Sequence, residues 1–395
     1  MTVHRMKLSE LFRIGSSKRV LQSQWTEHGV PFYRGREITR LAEDGFVNNE
    51  LFISEELYSE YRSKNGVPKA GDIMVTAIGT IGNSYVVQPT DRFYFKDASV
   101  LWLDRTTDIS SKFIDYWLKS SLFFDQLERG NGATVDTLTI QKLQGVEVNI
   151  PSRAEQERIV AILDEAFEGI AIAKANAEKN LQNARMLFIS HLQSSYHQQG
   201  EGWTSARIAN IAKHSLGKML DKAKNRGDLK PYLRNLNVRW FDFDLSDVQE
   251  MKFTPEESDK YTAIKGDVLI CEGGYPGRCA IWEDDEPIYF QKALHRVRFH
   301  NPLHSKWFVN YLYLMDQTGD LKMHFSGTGI QHFTGEALAK FTLPIPPDQQ
   351  IQQLLGTANQ LETEVVRLES IYHQKLTALD DLKKSLLHQA FTGQL

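Results

Sequence analysis

The chain of 395 residues has only two cysteines, Cys271 and Cys279. They lack partners at metal-ligand spacing, so the expectation is a pair of reduced thiols in a cytoplasmic protein. No run approaches eighteen consecutive apolar residues, and the opening MTVHRMKLSELFRIG lacks the apolar core of a secretion signal. A membrane location is therefore not expected. There is no G-x-x-x-x-G-K-[ST] phosphate loop, which argues against an ATP motor in this chain. No Asn/Asp-Pro-Pro-Tyr/Phe motif for holding a flipped base appears, and no glycine fingerprint for a nucleotide cofactor. Cys-x-x-Cys and G-x-S-x-G are missing as well. The EDDE run at Glu283 reads as a solvated turn, so neither a metal nor a catalytic residue is expected.

An excess of one charge is also missing, since the formal net charge is −4. Locally the balance differs. Trp203 to Trp240 holds nine Lys/Arg against two Asp, and Arg13 to Arg40 holds six against two Glu. Such confined basic stretches suit a geometrically restricted polyanion site. They also suit ordinary solvated surface. Hydrophobic content of 41% and aromatic content of 11% support real cores, and the length predicts two or three units.

The chain is written twice. PFYRGREI at Pro31 aligns with PYLRNLNV at Pro231, and AGDIMVTAIGTIGNSYVV at Ala70 with KGDVLICEGGYPGRCAIW at Lys265. KFIDYWL at Lys112 has a counterpart in KWFVNYLYL at Lys306, and GNGATVDTLT at Gly130 in GTGIQHFTGE at Gly327. Each half then leaves through a short apolar run ending in Ile-Pro, followed by a long helical pattern. Four matches in one order mean duplication. The predicted domains are two α+β globular units, 1–151 and 201–346, each followed by a helical region, 152–200 and 347–395.

In the second helical region Leu361, Val365, Leu368, Tyr372, Lys375, Leu379, Leu382 and Leu386 alternate steps of four and three. That period of about 3.5 marks a coiled-coil seam. The first region matches it with Leu163, Ile170, Asn180 and Leu187, filled in largely by alanines. Small knobs facing large ones predict that the two helices, each roughly 60 Å long, pair with each other. Packing of each helix on its own globular unit is the competing expectation. Asn180 and Lys375 occupy equivalent places, predicting antiparallel pairing with these two polar knobs meeting in the seam.

IPSRAEQERIVAILDEA, IPPDQQIQQLL, the paired Gly-Asp-Ile/Val segments, the Gly-x-Gly stretches and the terminal LKKSLLHQAFTGQL together resemble the DNA-specificity subunit of type I restriction–modification systems. The resemblance covers essentially the whole chain. It departs at PPDQQ, which lacks the counterpart of Glu155, and at HLQSSYHQQGEGW, which does not repeat AFTGQL. It implies a non-catalytic subunit that selects double-stranded DNA through two target-recognition domains and reads an asymmetric, gapped, bipartite target. Two methyltransferase subunits, bringing S-adenosylmethionine, would dock on the helical regions. Two motor-endonuclease subunits, using ATP and Mg, would complete the restriction form. A coiled-coil scaffold whose end domains bind proteins is the alternative.

Candidate DNA contacts in the first half are Lys18, Arg34, Arg36, Thr80, Asn131 and Thr134. In the second they are Lys218, Arg234, Asn237, Arg239, Tyr275, Arg278, Thr328, Gln331 and His332. Cations can hold phosphates or guanine edges, and amides and hydroxyls can pair with bases. For each cation an intramolecular ion pair stays open, and for each asparagine plain turn chemistry.

Overall fold

A computed structural model describes residues 3–128, 137–198, 200–221 and 223–395. The chain divides into two compact units, one formed by 1–177 with 373–395 and the other by 178–372. Each unit therefore combines a globular part with a stretch of both long helices. The predicted α+β class with two long helices is the observed one.

In the first unit, strand His4–Lys7 pairs antiparallel with Glu147–Ile150, so the globular part opens and closes on one strand pair. Between them lies a four-stranded antiparallel sheet in the order Phe12–Gly15, Val100–Arg105, Ile73–Thr76, Ser84–Val86. All four residues of Ile73–Thr76 are buried, as expected of a strand covered on both faces. A smaller sheet contains Val30–Tyr33 beside Tyr94–Phe95 in parallel register.

The second unit repeats this plan. Thr204–Arg207 pairs with Thr342–Ile345. The main sheet runs Ala212–Leu216, Leu294–Phe299, Val268–Cys271, Cys279–Ile281. Asp228–Leu233 lies parallel to Ile288–Phe290 in the smaller sheet. The repeat extends to single backbone bonds. Gly82 N donates to Thr76 O as Gly277 N does to Cys271 O, and Ala77 N to Ser99 O as Glu272 N does to Ala293 O. Asp72 and Asp267 each accept from the backbone N three residues earlier, at 2.8 Å in both units.

The long helices are Arg153–His197 and Asp348–Thr392. In the first unit Ile159 and Leu163 share a core with Phe113, Trp117, Leu387, Ala390 and Phe391. Arg158 donates to the Leu395 carbonyl at 2.7 Å, and Lys174 pairs with Asp380. Residue numbers rise along one helix as they fall along the other, so the pairing is antiparallel. In the second unit Phe188, Leu192 and Tyr196 share a core with Ile351, Leu355, Ala358, Trp307 and Phe308. Arg185 meets Glu369 at 2.5 Å.

The expected seam shifts partway along. Leu163 and Ile170 are buried, and Leu361, Val365, Leu368, Tyr372, Leu379 and Leu386 are half-buried. Asn180, Lys375, Leu187 and Leu382 are instead exposed, Leu187 by 64%. Leu181 and Phe188 bury one position further on. The cause is the globular part of the second unit: Phe188 packs against Phe241 and Tyr313 with ring centroids 6.0 and 5.9 Å away, which rotates the buried stripe by one residue. Both polar residues expected as buried knobs thus face solvent.

The Ile-Pro exit has a mechanical role. Gln156, which is buried, donates through Nε2 to Pro151 O at 2.9 Å and accepts from Ser110 N at 3.0 Å. One side chain thereby ties the helix start to the exit turn and to the globular part. The worn second exit has isoleucine, Ile351, at this place and fastens through Trp203 Nε1, which donates to Gln350 Oε1 at 3.1 Å.

Candidate nucleic-acid interface

In each unit the strands of the main sheet hand over to loops that lie together. In the first, Ala77 N donates to Ser99 O, Leu138 N to Ala77 O and Lys96 N to Tyr33 O. Ser17 Oγ donates to Phe95 O at 2.7 Å, which brings loop 16–18 to the same place. In the second, Glu272 N donates to Ala293 O, Phe333 N to Glu272 O and Gln291 N to Leu233 O, while Lys292 N donates to Lys218 O. The two faces are built by the same bonds. Ala98 and Ala293, in the turns that enter Val100–Arg105 and Leu294–Phe299, hold φ of 60° and 88°. Left-handed backbone at a non-glycine residue is uncommon and gathers at functional loops.

Several expected DNA contacts are engaged within the protein. Arg34 Nη2 and Arg36 Nε both donate to Glu37 Oε1, at 2.9 and 3.0 Å, and Arg36 also reaches Glu50 at 3.0 Å. Burial alone would raise the Glu37 carboxyl, but these guanidinium bonds outweigh it and hold its pKa below the ordinary value. Lys218 is buried, donating to Glu257 at 2.5 Å and to the Lys252 carbonyl at 2.9 Å, with its ammonium 4.9 Å from the Phe253 ring centre. A lysine so enclosed cannot reach a phosphate in this structure. Asn237 is buried and closes a turn, accepting from Arg234 N and donating to Asp244 O and Asp247 O. Arg234 bonds Asp247 at 2.6 Å, and Arg239 bonds Asp244 at 3.0 Å. For these residues the intramolecular reading is the one observed.

Others stay on the face. Lys18 and Thr80 are exposed. Tyr275 is 44% exposed, donates to Asp316 at 3.2 Å and lies 5.0 Å from the Arg278 guanidinium. Arg278 Nη2 donates to Asn235 O at 3.1 Å, and Asn235 Nδ2 to Gly273 O at the same distance. Thr328, Gln331 and His332 are exposed on a hairpin loop. Asn131 and Thr134 lie outside the described residues. The equivalent bonds Thr76 N to Asn83 O and Cys271 N to Arg278 O place Asn83 and Arg278 in one slot of the two faces. Asn83 was legible in the aligned segments, where it stands opposite Arg278, but was not singled out. Lys96 and Lys292 were also missed. Both are exposed and, among the described residues, have no carboxylate in ion-pair range.

Burial pushes the Cys271 thiol up to about 11, the opposite of a reactive cysteine. Among the described residues no group of three His, Cys, Asp or Glu is placed to hold a metal ion. None of the described helices is long and apolar enough to cross a membrane.

Two copies of one loop-bearing face, each built on a globular part joined to paired helices, define a duplicated recognition architecture. The model of the type I restriction–modification DNA specificity domain matches residues 2–183 and 200–358, so the chain belongs to that family. It is similar to a putative type I restriction enzyme specificity subunit of Haemophilus influenzae, 29% identical over 47% of each chain. It is also similar to the EcoKI specificity subunit of Escherichia coli K12, 21% identical over 73% of this chain and 66% of that one. The chain thus spans about half and about two thirds of these relatives. Among solved structures, a chain of a type I restriction–modification system matches with TM-score 0.80, covering 100% of this chain and 98% of its own length at 16% identity. The HsdS subunit of Thermoanaerobacter tengcongensis matches with TM-score 0.61, 100% and 97% coverage and 16% identity. Both likenesses are of fold.

Proposed function

We propose that the chain is the specificity subunit of a type I restriction–modification complex. It selects an asymmetric, bipartite target in double-stranded DNA and has no catalytic role of its own. The observation that carries this is the doubling of one loop face with different side chains in matching slots, as with Asn83 and Arg278 or Thr80 and Tyr275. Matching backbone with differing side chains gives two readers of unlike sequences, and the helices between them set the gap. Linking two modest readers raises affinity through effective concentration. Lys18, Lys96 and Lys292 supply the phosphate contacts, with Thr80, Tyr275, Arg278, Thr328, Gln331 and His332 nearer the bases.

Methyltransferase subunits, two in number, dock on the helical stretches and bring S-adenosylmethionine to adenine. Two motor-endonuclease subunits, fuelled by ATP and Mg, complete the restriction form. The exposed Ile172 and Leu382 of the first unit, and Met186, Leu187 and Val366 of the second, are the apolar residues such docking would cover. The experiment is a map of methylated adenines in the host genome with the gene present and deleted. One asymmetric gapped motif should lose methylation on deletion. If every motif persists while the methyltransferase is expressed, the proposal is wrong.

A further inference from the structure

The hairpin loop 326–332 of the second unit is built to hold one isoleucine out to solvent. Ser326 and His332 exchange two backbone bonds, both 2.9 Å, and the next residue, Phe333, is fully buried and donates to Glu272 O at 2.8 Å. Gly327 has φ of 104°, and a β-carbon there would run into the Ile330 carbonyl, so the turn is tight and glycine-dependent. The His332 ring lies against Gly273, where a β-carbon would sit 3.0 Å from Nδ1. Stem and base are thus fixed on the loop that carries Tyr275. At the tip Ile330 is 77% exposed, beside exposed Thr328, Gln331 and His332. Isolated apolar residues on a surface need no explanation, but this one stands on a braced hairpin whose tip has no lysine, arginine or carboxylate.

A tip without cations adds nothing to phosphate neutralisation. Its hydroxyl, amide, imidazole and aliphatic groups are instead those that read base edges. The loop is closed by the single Ser326–His332 bridge and is no broader than the two-stranded ribbon that the major groove, about 12 Å wide, admits and the minor groove, at about 6 Å, does not. In the major groove the apolar feature is the thymine methyl. Resting on the reading of the chain as a specificity subunit, we infer that Ile330 is a specificity-determining residue that packs on a thymine C5-methyl in the half-site read by the second unit. Thr328, Gln331 and His332 contact its neighbours.

The test uses the full chain assembled with its methyltransferase subunits and a duplex carrying the mapped motif. Each thymine of both half-sites is replaced singly by deoxyuridine, and binding is measured by competition at fixed salt. For the native complex one replacement should weaken binding about fourfold, the worth of one buried methyl. Ile330→Ala should abolish that single difference, Ile330→Val should keep most of it, and thymine effects elsewhere should persist. A motif of G·C pairs alone in the affected half-site overturns the inference. So does a native complex indifferent to every replacement, or an Ile330→Ala complex that still discriminates or weakens equally on all duplexes. A complex that binds no motif at all overturns the specificity-subunit reading itself, and the two failures are thereby distinguished.

Discussion

Lys218 shows how far a basic residue on a recognition loop can be from a ligand. Its ammonium is taken by Glu257, the Lys252 carbonyl and the Phe253 ring. Removing one partner of an enclosed pair leaves the other poorly solvated, a loss of several kcal/mol when both are buried. Glu257 keeps 29% of its side-chain surface, so Lys218→Met should cost about 2 kcal/mol in urea unfolding while the methylated motif stays the same. A changed motif would return Lys218 to the contact surface. His295 makes a second residue-scale prediction. It is 1% exposed, neither ring nitrogen has a hydrogen-bond partner, and burial, helped by His214, lowers its pKa to about 4. Glu272 Oε1, 3.9 Å from Nε2, is too distant to offset burial. Because the folded value lies below the ordinary 6.5, the unfolded chain binds the proton more readily. Stability is full above about pH 6.5 and falls as pH drops toward 4. Between pH 7 and 5 this group should remove about 2 kcal/mol, and His295→Leu should flatten that part of the unfolding profile.

At the scale of elements, the duplicated segments were readable because a repeated sequence in one order requires a repeated fold. Buried strands such as Ile73–Thr76 and Val268–Cys271 announced themselves as short apolar runs between glycine turns. The helix seam was readable only in part. Periodicity finds a stripe, but which neighbour takes the stripe is decided by distant residues, here Phe241 and Tyr313, which turn Phe188 inward and leave Leu187 outside. The cations were least readable, since a sequence does not show which carboxylate folds back to meet Arg34 or Arg239. Consequences differ along one helix. Leu163→Ala, at a fully buried site, should cost about 3 kcal/mol in thermal or urea unfolding. Leu187→Ala should change stability by less than about 0.5 kcal/mol, yet weaken capture of the methyltransferase subunit. Asn180→Leu with Lys375→Leu, at two exposed sites, should leave stability within about 0.5 kcal/mol.

For the whole molecule, a net charge of −4 offers no general attraction for a polyanion, so the DNA binding proposed above would rest on a few local cations and on whatever partners contribute. Replacing Lys18, Lys96 and Lys292 with alanine should weaken binding to all sequences alike. It should also reduce the slope of log K against log salt by about 2 to 3, near one per lost phosphate contact. An unchanged slope would remove them from the interface.

The first unit also has a history on the ribosome. Its core needs Leu387, Ala390 and Phe391 beside Leu163. At about 5–20 residues per second, the chain between these positions takes on the order of ten to forty-five seconds to make. Throughout that interval Ile159, Leu163 and Phe113 lack the cover that Leu387, Ala390 and Phe391 give them. The unit synthesised first is therefore completed last, and a nascent chain stalled before Leu387 presents an apolar surface of the kind chaperones bind.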